Sequence, residues 1–528
     1  MQTGFKKFRF WERQYSLSQE KSQLRVGVIL NYINIGLGNL IPIFYTPIML
    51  QLLGQNEYGL YKLSSSVTSY MSLISLGIGS AVGRYLIKYR IEKSKEDEER
   101  ILGLFMMIFQ VIAFLALIIG TVLTFNLQVW YGDSLTAEEL FRMRILVFIM
   151  VCNTALGFAV SPFSSVVSAH ERFTFQQCMN ILSTCVAPVL NLVVLWLGYA
   201  SIGMAMVSLA MQVVTQFCYW AFVRKKLHIR ARLKNMPFDE LKGILKFSFW
   251  VFVANVVGQL YNATDTVMIG AIPDLATAGT AVYSVGSTFN TIVFSATTGV
   301  SNVLSPRTNK MVFEGADIPE LTGFAVRIGR IQAYIISLIV TGFIAFGRPF
   351  IYFYAGAGYA EAYWVAVFMM VPNMIPLVQS VCLNIIVAQN RHQFRSIVYL
   401  AIAVANVFGT WILLHYMGVA GAALVTGVCL ILGQGFVMNW YYWKKIHIDI
   451  PAFWKQVGKV YIIPVIMCIA ALLLSHVLDF YNIWILAAGI VIYTIIFCFL
   501  SWKLSFDEYE KELIKGIGRS IMRKIKRK

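Results

Sequence analysis

The stretch Tyr58–Arg90, YGLYKLSSSVTSYMSLISLGIGSAVGRYLIKYR, joins a membrane-length apolar run to charges near both ends, and its reading decides the fold. As a helix rising about 1.5 Å per residue, Tyr58 to Val82 is long enough to cross a hydrocarbon core about 30 Å thick. Its composition is unusual for a helix surrounded by lipid. Ser65, Ser69 and Ser72 recur at helical spacing below Lys62, and Gly77, Gly79 and Gly83 let neighbouring backbones approach. At about 100° per residue Arg84 returns to within about 40° of the Lys62 direction, about 33 Å further along the axis. One helix face then carries a cation near each mouth. Cations in such positions are costly in lipid and line water-filled paths.

The rest of the chain fits this reading. Of 528 residues 58% are hydrophobic, and a mean hydropathy of +0.67 excludes a soluble domain. The net charge of +18 invites a nucleic-acid reading, but the basic residues fall in alternate loops, which is a topology signal. Apolar runs at about 26–50, 58–82, 101–125, 143–168, 178–197, 200–223, 247–270, 280–304, 328–350, 363–388, 396–415, 418–440, 459–478 and 482–502 predict fourteen spans with both termini cytoplasmic. This arrangement puts 40 of the 44 lysines and arginines inside, leaving Lys62, Arg142, Arg144 and Arg348 elsewhere. One span too many or too few would invert every later loop. The first run lacks a small-residue cleavage site and reads as a retained span.

A repeat divides the spans. AHERFTF at Ala169–Phe175 resembles AQNRHQF at Ala388–Phe394, and GYASIGMA at Gly198–Ala205 resembles YMGVAGAA at Tyr416–Ala423. The expected fold class is therefore an all-α polytopic membrane protein: two six-helix bundles related by a pseudo-two-fold axis, plus two C-terminal helices. The expected divisions are a basic cytoplasmic N-terminus (1–25), bundles at 26–223 and 247–440, a basic linker at 224–246, added helices at 441–502 and a basic tail at 503–528. In that tail Leu513, Ile517, Ile521 and Ile525 predict an amphipathic helix on anionic lipid.

Two motifs carry a family resemblance. LGxxxYGLY at Leu53–Tyr61, the LGIGSA turn and the closing Arg84-Tyr85 resemble the second-helix signature of bacterial polysaccharide exporters and flippases, the Wzx-type branch of the multidrug/oligosaccharidyl-lipid/polysaccharide superfamily. DTVMIG at Asp265–Gly270, followed by Ala281-Val282-Tyr283, is similar to that family's seventh-helix pattern. Lys62 lies outside the signature. The resemblance implies a flippase in a bacterial inner membrane that moves a polyprenyl-pyrophosphate-linked oligosaccharide outward for lipopolysaccharide, O-antigen or another surface polymer. Membrane lipid and polysaccharide synthesis proteins would be its partners.

Within that frame the candidate residues are few. Arg84, Lys88 and Arg307 are placed to receive a pyrophosphate at the inner side, where positive-inside anchoring explains them equally well. Asn255, Gln259, Asn262 and Thr266 form one helix face of the seventh span, able to bond water or sugar hydroxyls; bonding between helices is the other reading. Ser284, Ser287, Thr291, Ser295, Thr298 and Asn302 repeat the pattern on the eighth. Asp265 is the candidate for ion coupling, through a pair with Lys62 that is either switchable or simply structural. Pro42 and Pro47 predict a bent first span.

No catalytic residue, cofactor or metal is expected. The eight cysteines sit singly in apolar runs, the six histidines form no HExxH, and GxxxxGK[ST] is absent. The longest outer connection, Asn126 to Phe141, is too short to hold the catalytic domain of an envelope glycan ligase or polymerase. The nearer rival is a multidrug or organic-cation antiporter of the same superfamily, whose site would favour carboxylates.

Overall fold

The structure, a computed structural model, describes residues 2–92, 94–389, 391, 393–512 and 515, with side chains described at most of these positions from residue 26 onward. Among the described residues every regular element is helical. Packing divides the chain into two compact units, Met1–Ala281 and Val282–Lys528.

The first unit holds α1 (Gln2–Leu53), α2 (Gln55–Ser69), α3 (Ile78–Glu92), α4 (Lys95–Tyr131), α5 (Ala137–Ala169), α6 (Phe173–Trp196), α7 (Ala200–Phe222) and α8 (Leu241–Gly270), and the start of α9 (Ala276–Phe313). Local chemistry fixes several boundaries. At the start of α4, Ser94 accepts from the Asp97 amide and three acidic residues follow in the first turn, where they complement the helix dipole. Thr136 and Glu139 close a reciprocal capping box on α5. α1 runs through Pro42 and Pro47 as one helix.

Between α2 and α3 the chain tightens into a 3-10 turn, Tyr70–Ser75, then passes through Leu76 and Gly77, both left-handed, so the two arms meet at 42°. The serines contribute to this break. Ser64, Thr68, Ser69 and Ser75 all donate to carbonyls three or four residues earlier, a habit that bends helices. Buried Leu60, Leu63, Leu127 and Met143 pack one end of the unit, and Leu86, Ile101, Phe105 and Val166 the other. In lipid such contacts hold by close packing, since leaving the bilayer offers no hydrophobic gain.

The second unit holds the remainder of α9, then α10 (Ile318–Ala355), α11 (Ala362–Val378), α12 (Ser380–Ala388), α13 (Gln393–Leu430), α14 (Asn439–Lys444), α15 (Ile450–Gly458), α16 (Ile462–Leu474) and α17 (Ile483–Leu500). α10 is its axis, with α11, α12, α15, α16 and α17 packed on it. Tyr493 of α17 reaches Thr341 of α10 at 2.8 Å. α10 also receives the chain beyond α17. Buried Arg330 makes a two-pronged pair with Glu510 at 2.7 and 2.9 Å and donates to the Ser505 carbonyl at 2.8 Å.

Among the described residues ten helices are long and apolar enough to cross a membrane, or twelve if the bent pairs α2/α3 and α11/α12 each count as one span. The protein is a multi-pass membrane protein, and the sequence-based count of fourteen exceeds this number for two physical reasons. The stretch Gln393–Lys444 is 52 residues long and folds back at Gly418, so it serves as one span in that tally and two in the sequence. α9 is 38 residues long, but its serines and threonines dilute its hydropathy. The expected amphipathic helix at 513–525 lies outside the described residues, apart from Lys515.

Candidate functional site

α8 lies antiparallel to the broken helix α2–α3 over its whole length. Gly270 abuts Leu63, and the Tyr70 and Thr264 hydroxyls share a hydrogen bond of 2.6 Å. Gln259 donates to Ser69. Further along, Gly77 meets the backbone of Ser248 and Phe252, the Arg84 guanidinium lies 5.0 Å above the Phe247 ring, and Gly243 fits against the Tyr85 hydroxyl. Glu240, just before α8, accepts from Lys88 at 3.1 Å and from Tyr89 at 3.3 Å. The glycines make this closeness possible. A Cβ at Gly77 would strike the α8 backbone, and one at Gly59 would strike the Thr277 carbonyl.

The packed side of α2–α3 buries Leu60, Leu63, Val67, Met71, Ile78, Val82 and Leu86. The other side stays accessible, with Ser65, Ser72, Ser80, Arg84 and Lys88 exposed and Lys62 and Ser69 partly so. On α8, Asn255 is exposed and Gln259 is half-buried. Among the described residues neither Lys62 nor Arg84 has a carboxylate partner. Each rests against an aromatic ring instead, Lys62 5.5 Å from the centre of Tyr58. The result is a hydroxyl- and amide-bearing strip with an uncompensated cation toward either end. Such a strip suits an anionic group flanked by hydroxyls.

The other expected residues are distributed differently. Lys88 is paired with Glu240, so its charge is largely committed. Arg307 is exposed in the second unit, with its guanidinium 5.3 Å from the Phe324 ring. The Asn262 side chain lies outside the described set. Asp265 is 1% exposed and has interactions of its own, and among the described residues no ion pair joins it to Lys62. Helix register explains this correction. Asp265 sits level with Ser69 and Tyr70, about 10 Å along the axis from Lys62.

On α9 several polar groups are bonded within the protein. Ser287, Thr291 and Thr298 donate back to their own helix, while Asn290 accepts from Asn373 at 2.9 Å. Ser301 accepts from Gln332, which also donates to Ser380, so these groups knit the second unit together. Sequence reading missed the partners that pin the strip. Glu57 binds Arg142 at 3.2 Å and accepts from Ser201, fixing the start of α2. Ser134 donates to the Gly270 carbonyl, fixing the end of α8. Two of the four cations that fall outside the expected inner loops, Lys62 and Arg142, thus bear on this strip, a signal that the charge count already contained. Among the described residues no group of His, Cys, Asp and Glu gathers in metal-binding number.

Comparison with known proteins places this arrangement. The chain is similar in structure to the lipid II flippase MurJ in an inward closed conformation, with 14% identity and a TM-score of 0.69 over 92% of this chain and 99% of that one. It is also similar to an inward-facing multidrug resistance MATE family transporter of the MOP superfamily, with 16% identity and a TM-score of 0.62 over 80% of this chain and 95% of that one. The MATE transporter VcmN of Vibrio cholerae in its bent form matches at 14% identity and a TM-score of 0.52, over 85% of this chain and 99% of that one. At these identities the likeness is one of fold. No curated protein sequence matches the chain. Residues 24–311, more than half of the sequence and including the whole α2–α3/α8 strip, match the polysaccharide biosynthesis protein family, and the chain belongs to that family.

Proposed function

We propose that this protein is a flippase that carries a polyprenyl-pyrophosphate-linked oligosaccharide from the cytoplasmic to the outer leaflet of a bacterial inner membrane, supplying surface polysaccharide assembly. The observation that carries this reading is the α2–α3/α8 strip: Lys62 and Arg84 without carboxylate partners, among Ser65, Ser69, Ser72, Asn255 and Gln259. Family membership and the fold shared with a lipid II flippase support it. A site for organic cations would need accessible carboxylates, whereas the Asp265 carboxylate is buried and that of Glu240 is engaged by Lys88.

Arg84 receives the pyrophosphate, because a guanidinium grips phosphate oxygens in pairs. The amides of Asn255, Gln259 and Asn262 take sugar hydroxyls, and Lys62 accompanies the anion toward the outer end. The repeated bundles at 26–223 and 247–440 rock to alternate access, with both termini cytoplasmic and polysaccharide synthesis proteins attending. Buried Asp265 couples the movement to an ion.

Leaflet-resolved labelling of lipid-linked glycan with an outside-only glycosidase tests the reading. Depletion of the protein should strand the loaded lipid inward, with recovery by the wild type and at least a tenfold weaker recovery by Arg84→Ala. An unchanged lipid distribution, accompanied by cellular accumulation of organic cations, would replace this reading with the drug-extruder one.

A further inference from the structure

Four cations break the inward bias of positive charge: Lys62, Arg142, Arg144 and Arg348. A cation on the outer side opposes the topology signal, so each calls for a reason. Arg142 is neutralised by Glu57 and Glu138, at 3.2 and 2.9 Å. Arg144 donates to Gln128 at 3.1 Å, and Lys62 belongs to the strip described above. Arg348, in the second unit, is different. It is exposed near the end of α10 that the charge pattern assigns to the outside, and among the described residues it has neither a carboxylate partner, as Arg142 has, nor a side-chain amide partner, as Arg144 has.

Its guanidinium lies in the corner between two rings, 5.2 Å from the centre of Tyr363 and 5.4 Å from that of Trp364. The rings meet at 73°, with centres 5.2 Å apart. Each is braced from behind. Tyr363 stacks on Phe343 and donates to the Ile344 carbonyl at 2.9 Å, and Trp364 stacks on Phe368. Tyr363 is buried, whereas Trp364 keeps 42% of its surface accessible. A guanidinium stacked on a ring keeps its N–H edge free for a carboxylate or phosphate, and a half-open indole offers an apolar face beside it.

We propose that Arg348 and Trp364 form an outer binding site for an acidic sugar, in which the guanidinium takes the sugar's carboxylate through two hydrogen bonds and the indole carries the apolar face of the ring. Aromatic anchoring at the membrane interface accounts for an exposed tryptophan. It does not account for a braced, unpaired arginine held against that tryptophan. The flippase reading supplies the reason a sugar arrives there; the site itself adds a preference for acidic over neutral glycans.

The test measures binding alone, so it can fail while transport stands. Full-length protein in discs of purely zwitterionic lipid is titrated with an oligogalacturonate and with its neutral methyl ester. The wild type should bind the acid at least tenfold more tightly than the ester. Arg348→Gln should abolish the difference, Arg348→Lys should restore only part of it, and Trp364→Leu should weaken both ligands while Trp364→Phe should not. Equal binding of acid and ester, or an unchanged preference in Arg348→Gln, overturns the proposal. Adding an anionic lipid to the discs gives a further arm. If it displaces the acidic sugar at sub-stoichiometric amounts, the corner is a headgroup site and the proposal falls.

Discussion

A single buried arginine shows how the second unit is held. Arg330 is 8% exposed, and its guanidinium spends its donors on Glu510, Ser505 and Tyr334. Removing one partner of such a pair strands the other charge, at a cost of about 3–5 kcal/mol, whereas replacing both with apolar groups is often neutral. Glu510→Gln leaves Arg330 only the half-exposed Asp507 carboxylate, at 3.7 Å, so it should lower the melting temperature in detergent, and the double variant Arg330→Met, Glu510→Met should regain most of the loss. Equal losses in both would mean that the pair acts through shape rather than charge. The sequence disguised this residue. Arg330 lies near the start of the expected span 328–350, where positive-inside anchoring would account for it fully, and nothing local in the chain points to a carboxylate 180 residues away. Lys88 was disguised in the same way, since a residue plausible as a phosphate ligand proves to face Glu240.

At the scale of elements, the break between α2 and α3 is the feature most open to test. Gly77 has φ +70 and touches the α8 backbone, so Gly77→Ala faces both a left-handed penalty of about 1–2 kcal/mol and a collision. Gly79, two residues on, has nothing within 4 Å of the point where a methyl group would sit, so Gly79→Ala should change stability by less than about 0.5 kcal/mol. Thermal unfolding of the pair distinguishes the two, and equal effects would refute the packing account. The glycine–serine composition and the LGIGSA motif made a special segment legible. The pairing of that segment with α8 was not legible, because a polar stripe states that partners exist without naming them. α9 illustrates the limit: Ser287, Thr291 and Thr298, which repeat the polar pattern of the seventh span, donate to carbonyls of their own helix.

For the whole molecule, charge bias and helical periodicity were the informative signals, since one physical rule acts on every loop at once. They yielded an all-helical polytopic chain, and the structure is that. The span count depends on the rule applied: hydropathy alone passes over α9, whose polar residues the loop alternation never consults. The topology leads to a direct prediction. Cysteine introduced at exposed Asp133 should react with a membrane-impermeant maleimide on intact cells, and cysteine at Lys234 only after the membrane is opened. The reverse labelling would invert the orientation and with it the inward assignment of Arg84.

The fastening of α8 along α2–α3 has a mechanical consequence. It is attached to Leu63 and Tyr70 on one arm and to Gly77, Tyr85 and Lys88 on the other, so it bridges the 42° elbow as a splint bridges a fracture. In this conformation the cations of the strip hold a fixed spacing, and rocking of the two bundles has to part α8 from α2–α3 by breaking these contacts.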